Sequence, residues 1–189
     1  MRYKAFISYS HAADGKLAPA IQRALHRIAK PWYRLRTMRV FRDQTSLSTS
    51  PGLWTSIESA LNDAEFFVYL ASPTAAQSLW VQKEVAWWLK NRSYQSFLIM
   101  LTEGEIAWDD AQKDLDWATT TAMPSQASKV FAEEPLYTDL RWARTVDHLS
   151  LRHAQFRTAL LDLAATLLNR AKDELDGDDV HAIRLVRRY

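Results

Sequence analysis

The side chain with the clearest chemical potential is Glu84, which lies four residues after Trp80 in the segment 78–85. Residues four apart share one face of a helix, so Trp80 could form the wall of a pocket that holds the Glu84 carboxylate. One carboxylate opposite a ribose can hydrogen-bond its hydroxyls and stabilise the positive charge that develops as a glycosidic bond breaks. A leaving group that already carries positive charge, such as a nicotinamide, requires no general acid. The alternative is an ordinary surface glutamate on an amphipathic helix, next to Lys83.

Polar residues follow several of the predicted strands, where a parallel sheet binds its ligands. Ser10 and His11 come at the end of the first strand, Asp43 follows the second and Ser72 follows the third. Glu84 lies in the helix after that third strand. Open α/β sheets bind ligands beyond the carboxyl ends of their strands, near the point where the strand order reverses. We therefore expect these residues to gather at one edge of the sheet.

The elements that must position these residues alternate along the chain. Short apolar or β-branched runs predict strands, and apolar residues at a spacing of three to four predict helices. We predict strands over residues 3–10, 38–42, 65–71, 97–101 and, at an edge, 136–139, and helices over 15–29, 53–64, 78–90 and 151–175. Short helical pieces and loops are expected over 102–134. This order predicts an α/β fold with a mostly parallel sheet and helices on both faces.

Composition limits the protein classes that remain. With 189 residues and 48% hydrophobic content the chain suits one domain with a full core. It has no cysteine, so disulfides and thiolate metal sites are impossible, and its five histidines include no convincing ligand pair, so no metal is expected. The first residues are not typical of a signal peptide, and no apolar run approaches the length of a membrane span. We expect a cytoplasmic protein without a membrane partner.

The net charge of only +2 does not favour nucleic acid as a binding partner. Its distribution is uneven, since no acidic residue occurs between Asp14 and Asp43. The basic residues of this interval are Lys16, Arg23, Arg27, Lys30, Arg34, Arg36, Arg39 and Arg42. They indicate either a surface for an anionic ligand or acidic partner, or a solvated helix face.

Several enzyme classes are excluded by motifs that the chain lacks. Four glycines allow neither a dinucleotide-binding fingerprint nor a Walker-type loop. No nucleophile-elbow pattern surrounds any serine. The first strand is not followed by an acidic pair, which argues against a receiver domain.

The loop from Arg42 to Trp54 is long and rich in Ser and Thr. Such a loop is typical of a functional lid or interface, and the alternative is a tolerated insertion.

Taken in order, four short motifs resemble those of a bacterial Toll/interleukin-1 receptor (TIR) domain. They are Phe6-Ile7-Ser8-Tyr9-Ser10, then Phe41-Arg42-Asp43 with Pro51-Gly52, then Ser72-Pro73, and finally Ser78-x-Trp80-x-x-x-Glu84. The resemblance covers residues 3–105 well and the remainder by element order. It implies a flavodoxin-like fold with a central, mostly parallel five-stranded sheet, and a TIR domain over residues 1–176.

The resemblance also implies an activity, which in glutamate-bearing members is cleavage of NAD+ at the nicotinamide–ribose bond. NAD+ is then a substrate rather than a cofactor, and the product is ADP-ribose or a cyclic isomer. By position, Glu84 is the catalytic residue and Trp80 lines the pocket. The implied substrate-binding residues are Ser10, His11, Asp43, Leu47, Trp54 and Trp80, of which Asp43 and Leu47 lie in or before the family's BB loop.

Members of this family act in clusters, so the implied partners are other TIR copies, as in an effector of bacterial immune signalling. Residues 177–189 form a charged tail, which we expect to be a linker to a further module such as a sensor. The competing interpretation is a non-catalytic TIR adaptor that signals only by homotypic contact through the BB loop.

Overall fold

The computed structural model describes residues 3–30 and 52–176 together with the backbone of residues 40–42. Five strands form one sheet in the order β2-β1-β3-β4-β7, and every neighbouring pair is parallel. Two short strands, β5 and β6, form a separate antiparallel pair. The strands are β1 (Tyr3–Ser8), β2 (Val40–Arg42), β3 (Ala64–Ala71), β4 (Phe97–Leu101), β5 (Trp108–Asp109), β6 (Asp114–Leu115) and β7 (Tyr137–Asp139). The predicted five-stranded parallel α/β fold is confirmed.

In the described part of the chain, helices accompany these strands. They are α1 (His11–Asp14), α2 (Leu17–Ala29), α3 (Leu53–Asn62), α4 (Pro73–Gln77), α5 (Leu79–Asn91) and α6 (Ala154–Leu168), with single 3-10 turns at Tyr94–Ser96, Ser125–Ala127 and Arg141–Thr145. Within the described residues, no helix combines the length and the hydropathy needed to cross a membrane.

The sheet separates two apolar layers, because successive strand residues point to opposite faces. Ala5 and Ile7 of β1 pack with α2 and α6, whereas Phe6 packs with α3 and α5. The β3 strand is buried on both faces over 67–71, which explains its continuous apolar sequence. Burying one large apolar side chain contributes roughly 1.5–3 kcal/mol, so these two layers stabilise the sheet that positions the site.

Aromatic side chains fill the layer beneath α5. Trp88 is fully buried, and its ring lies 5.5 Å from the ring of Phe67. Phe67 stacks in turn on Phe6 and on Phe97, at centroid separations of 5.6 and 5.1 Å. The α5 helix is therefore fixed to β1, β3 and β4 by rigid rings, which fixes the position of Glu84 on the same helix.

Two predicted boundaries are wrong, and each has a local cause. The first strand was expected to reach Ser10, but β1 ends at Ser8 because Ser10 caps α1: its hydroxyl accepts a hydrogen bond from the backbone N–H of Ala13. A single helix was expected over 151–175, but α6 ends at Leu168 because Asn169 adopts a left-handed conformation with φ of 50°. A separate helical turn follows at 172–176.

The weakly patterned region 102–134 contains the β5–β6 pair as well as the expected short helical turn and loops. Buried Asp114 organises it: its carboxylate accepts hydrogen bonds from the Lys129 backbone N–H, the Trp117 indole and the Ser128 hydroxyl. Burial alone would raise the pKa of Asp114, but these donors outweigh burial and hold that pKa below its ordinary value. The expected edge strand over 136–139 is present as β7.

Candidate functional site

Glu84 lies on α5, the helix that begins after Ser78. The Ser78 hydroxyl faces the N–H of Val81 at 3.5 Å and caps the first turn. One turn further along, the Glu84 side chain turns into the protein and is 0% exposed. The alternative of an ordinary surface glutamate is therefore wrong.

Ser8 is a hydrogen-bond partner of this carboxylate. Its hydroxyl donates a hydrogen bond of 2.8 Å to Glu84 Oε1, and Ser8 is itself 0% exposed. Ser8 is the last residue of β1 and shares a sheet face with Phe6, the face that packs on α3 and α5. Sequence reasoning did not single out Ser8, although the strand alternation that places Phe6 on this face also places Ser8 there.

The Ser8–Glu84 pair lies at the point where the strand order reverses. Strand β1 pairs with β2 on one side and with β3 on the other, and Ser8 stands in register with Tyr69 of β3. The helices that follow β1 and β3 cover opposite faces of the sheet, which opens a crevice between the two strand ends. Glu84 therefore lies at the carboxyl end of β1.

Two of the predicted pocket residues, Trp54 and Trp80, lie side by side. Their ring centroids are 6.5 Å apart, and both rings are half-buried. The ammonium of Lys83 lies 4.3 Å from the Trp54 ring and 5.7 Å from that of Trp80. Trp80 precedes Glu84 by about one turn of α5, so the helix presents an aromatic surface beside its buried carboxylate.

Ser10 and His11 lie in the segment that joins β1 to α1. Ser10 is the N-terminal cap of α1, as described above. His11 begins that helix, and its ring lies 4.7 Å from the ring of Tyr9. Beside α1 is an open cavity of about 650 Å³ that is lined by His11 and Asp14, by the start of α2 with Lys16, and by Arg144.

A buried carboxyl that the sequence did not indicate ends this same segment. Asp14 is 2% exposed, and its Oδ2 accepts a hydrogen bond of 2.8 Å from the Thr102 hydroxyl. Its Oδ1 lies 3.2 Å from the guanidinium of Arg144. Burial raises the pKa of Asp14 from 3.8 to about 6, against the lowering effects of Thr102 and Arg144. No local motif predicts this cluster, because its members are distant in the chain.

Asp43 and Leu47, the remaining predicted substrate-binding residues, lie outside the described residues, as do Pro51 and the tail 177–189. The described part of the chain holds no group of three or more His, Asp or Glu side chains arranged for a metal ion. What the structure does bring together is one buried carboxylate, its serine donor and an adjacent aromatic pair. In such a set the carboxylate can stabilise positive charge on a ligand, and the tryptophan rings can stack on the ligand's planar rings.

Comparison with known proteins identifies the family. A family model described as TIR domain matches residues 5–133. Over 180 residues the chain is 53% identical to the protein named NAD(+) hydrolase ApTIR, from Actinoplanes sp. (strain SE50/110). That match covers 95% of this chain but only 25% of the relative, so the chain spans about a quarter of the relative's length.

Among solved structures, the chain is similar to the TIR domains of the activated Roq1 resistosome directly recognising the pathogen effector XopQ. The two chains are 13% identical with a TM-score of 0.42, and the comparison covers 97% of this chain and 99% of the other. The family match over residues 5–133 extends over more than half of the sequence and includes β1, α5 and Glu84. The chain belongs to the TIR domain family.

Proposed function

We propose that this TIR domain is an NAD+ glycohydrolase, which cleaves the nicotinamide–ribose bond and releases nicotinamide with either ADP-ribose or a form of cyclic ADP-ribose. The observation that carries the proposal is the Glu84 carboxylate, held by Ser8 at the strand ends where an α/β sheet binds its ligands. The identity of 53% to a protein named NAD(+) hydrolase supports the same activity.

In this mechanism the bond between the ribose C1′ and the nicotinamide nitrogen breaks with both electrons going to the nitrogen. Nicotinamide leaves as a neutral molecule, and positive charge develops on the ribose. Glu84 accepts hydrogen bonds from the ribose hydroxyls and stabilises this charge, with Ser8 fixing the orientation of its carboxylate. Water then attacks C1′ and loses a proton to give ADP-ribose, whereas attack by the adenine ring gives the cyclic product.

The remaining site residues bind the dinucleotide rather than react with it. Trp54 and Trp80 offer neighbouring flat rings, and the Lys83 ammonium beside them adds positive charge that suits a diphosphate. Ser10 and His11 contact the substrate from the first loop. Asp43 and Leu47 contribute from the segment that follows β2, as the family resemblance implies.

Activation by self-association is part of the proposal. Glu84 is 0% exposed in this single chain, so the residues that cover it must shift before a substrate can reach it. Contact with a second copy through residues 44–54 would supply the free energy for that shift and complete the substrate's wall. We place this activity in the cytoplasm, in a bacterial immune effector whose further module, joined through the charged tail 177–189, senses the trigger.

Nicotinamide release from NAD+ tests the proposal. It should be measured for the wild type and for Glu84→Gln, each dilute in solution and then tethered densely to vesicles through an affinity tag. We expect slow cleavage by the dilute wild type, clear cleavage by the tethered wild type, and none by Glu84→Gln. Clustering without any cleavage would identify a non-catalytic adaptor instead.

Residues 44–54 are tested by Leu47→Asp and Pro51→Asp. Each change should abolish clustering and cleavage together while the circular dichroism spectrum is retained, because the sequence predicts a loop over this interval and loops tolerate substitution. Ser150→Asp, an exposed position after the Arg141–Thr145 turn, is the matched control and should change neither. Full cleavage by both loop variants at every protein density would overturn the shared-site part of the proposal.

A further inference from the structure

The segment from Ser8 to Asp14 is held at both ends by buried hydrogen bonds. At its start, the Ser8 hydroxyl donates to Glu84. At its end, Asp14 accepts from Thr102, which follows β4, and pairs with Arg144 of the Arg141–Thr145 turn. Between these ends lie Ser10 and His11, the two residues of the first loop that are proposed to contact the substrate.

The second attachment includes the backbone as well as the Asp14 side chain. Arg144 donates from Nη1 to the carbonyl oxygen of Ala13 at 3.1 Å, and from Nε to the carbonyl oxygen of Thr102 at 3.0 Å. Thr102 is 0% exposed, and its backbone N–H bonds to Ala71 O at the end of β3. One arginine and one threonine thus connect α1 to the ends of two central strands.

The α1 helix has only four residues and therefore little stability of its own. The α1 helix is kept in place by Asp14 and Ala13, whose partners belong to distant parts of the chain. A short helix that is fixed in this way holds the residues that precede it within a narrow range of positions. Preorganised binding residues lower the cost of ordering the site when the ligand arrives.

We propose that Asp14, Thr102 and Arg144 are positioning residues, which hold the first loop so that Ser10 and His11 meet the substrate and thereby set its affinity. The inference rests on the proposed function, because it concerns the same site. None of the three residues needs to touch the reacting atoms. Their loss should therefore weaken substrate binding while leaving the bond-breaking step on Glu84 largely unchanged.

Steady-state cleavage of NAD+ by the tethered protein is the first test. Asp14→Asn and Thr102→Val should each raise KM about tenfold and change kcat by less than about threefold, the pattern expected when binding is lost equally from ground and transition states. Thr102→Ser, which keeps the hydroxyl, should behave as the wild type. The matched control is Asp139→Asn, which removes a carboxylate from Arg141 in the same turn without touching α1, and it should leave KM unchanged.

Direct binding separates this inference from the proposed activity. The dissociation constant of NAD+ should be measured by calorimetry in the Glu84→Gln background, with and without Asp14→Asn, after a thermal melt has shown both proteins folded. A constant about tenfold higher with Asp14→Asn supports the inference even if the wild type cleaves nothing. An unchanged constant, an unchanged KM in the folded variants, or a fall in kcat alone would overturn it, as would an absence of NAD+ binding.

Discussion

The energy of the buried hydrogen bond between Ser8 and Glu84 can be measured separately from the other contacts of these two residues. Both side chains are 0% exposed, and the Ser8 hydroxyl lies 2.8 Å from Glu84 Oε1. Ser8→Ala removes the donor and leaves a carboxylate oxygen buried without it, which costs about 1–3 kcal/mol in the free energy of unfolding. In a Glu84→Met background the same change should cost close to nothing, because the acceptor is already gone.

The difference between these two costs is the coupling energy of a double-mutant cycle, and other interactions of Glu84 cancel in it. Urea unfolding at pH 7 of the wild type, Ser8→Ala, Glu84→Met and the double variant gives the four free energies. We expect a coupling of about 1–3 kcal/mol. Thr158→Ala, an exposed change on α6 beyond the opposite face of the sheet, should be additive with Glu84→Met to within about 0.5 kcal/mol. A Ser8–Glu84 coupling as small as that of the control would refute the assigned hydrogen bond.

Three further predictions concern stability. The pKa of Asp14 is raised from 3.8 to about 6, so the folded state holds the Asp14 proton more tightly than the unfolded chain does. The contribution of this group to the free energy of unfolding is therefore fully present below pH 3.8 and is lost as the pH rises through 6. Relative to Asp14→Asn, the wild type should lose about 3 kcal/mol of unfolding free energy over this window, because each pKa unit corresponds to about 1.4 kcal/mol. Asp114, whose pKa is lowered, should show the opposite sign when compared with Asp114→Asn: its contribution is present above the unfolded pKa and lost as the pH falls. Urea unfolding at pH 3 and 7.5 decides both, and parallel curves for wild type and Asp14→Asn would contradict the first. Finally, Asn169→Ala should cost about 1 kcal/mol, because alanine at φ of 50° is strained, whereas Asn169→Gly should not, and equal melting temperatures for the two variants would argue against the left-handed cap.

Hydrophobic periodicity predicted the fold well, because the apolar residues that define the periodicity are the ones buried in the core. The apolar run of β3 and the helical spacing of α2 needed no tertiary information. The ends of elements were harder to predict. Ala171 follows Leu167 at helical spacing and so continues the apolar stripe of α6 past Asn169. Periodicity therefore could not reveal the left-handed residue that ends the helix.

The site was predictable only in part, for a related reason. The spacing of Trp80 and Glu84 placed a carboxylate beside an aromatic ring, but the neighbouring Lys83 made that face look solvated, and only the packing shows that Glu84 is buried. Asp14 and Thr102 each follow a strand, which places both at the same edge of the sheet. Their pairing through Arg144 depends on the Arg141–Thr145 turn, which lies between two predicted elements, and no local signal could identify it.

The strand order has a consequence for synthesis on the ribosome. Strand β2 adds to one side of β1, β3 adds to the other side, and β4 and then β7 extend the edge that β3 has formed. Each strand therefore finds its partner already translated, which suits a chain whose N-terminal part emerges first. Because Ser8 and Glu84 both precede β4, a nascent chain can assemble the buried Ser8–Glu84 pair before the last edge of the sheet exists. Loss of β7 would remove only an edge strand, whereas loss of β1 would remove the strand that joins the two halves of the sheet.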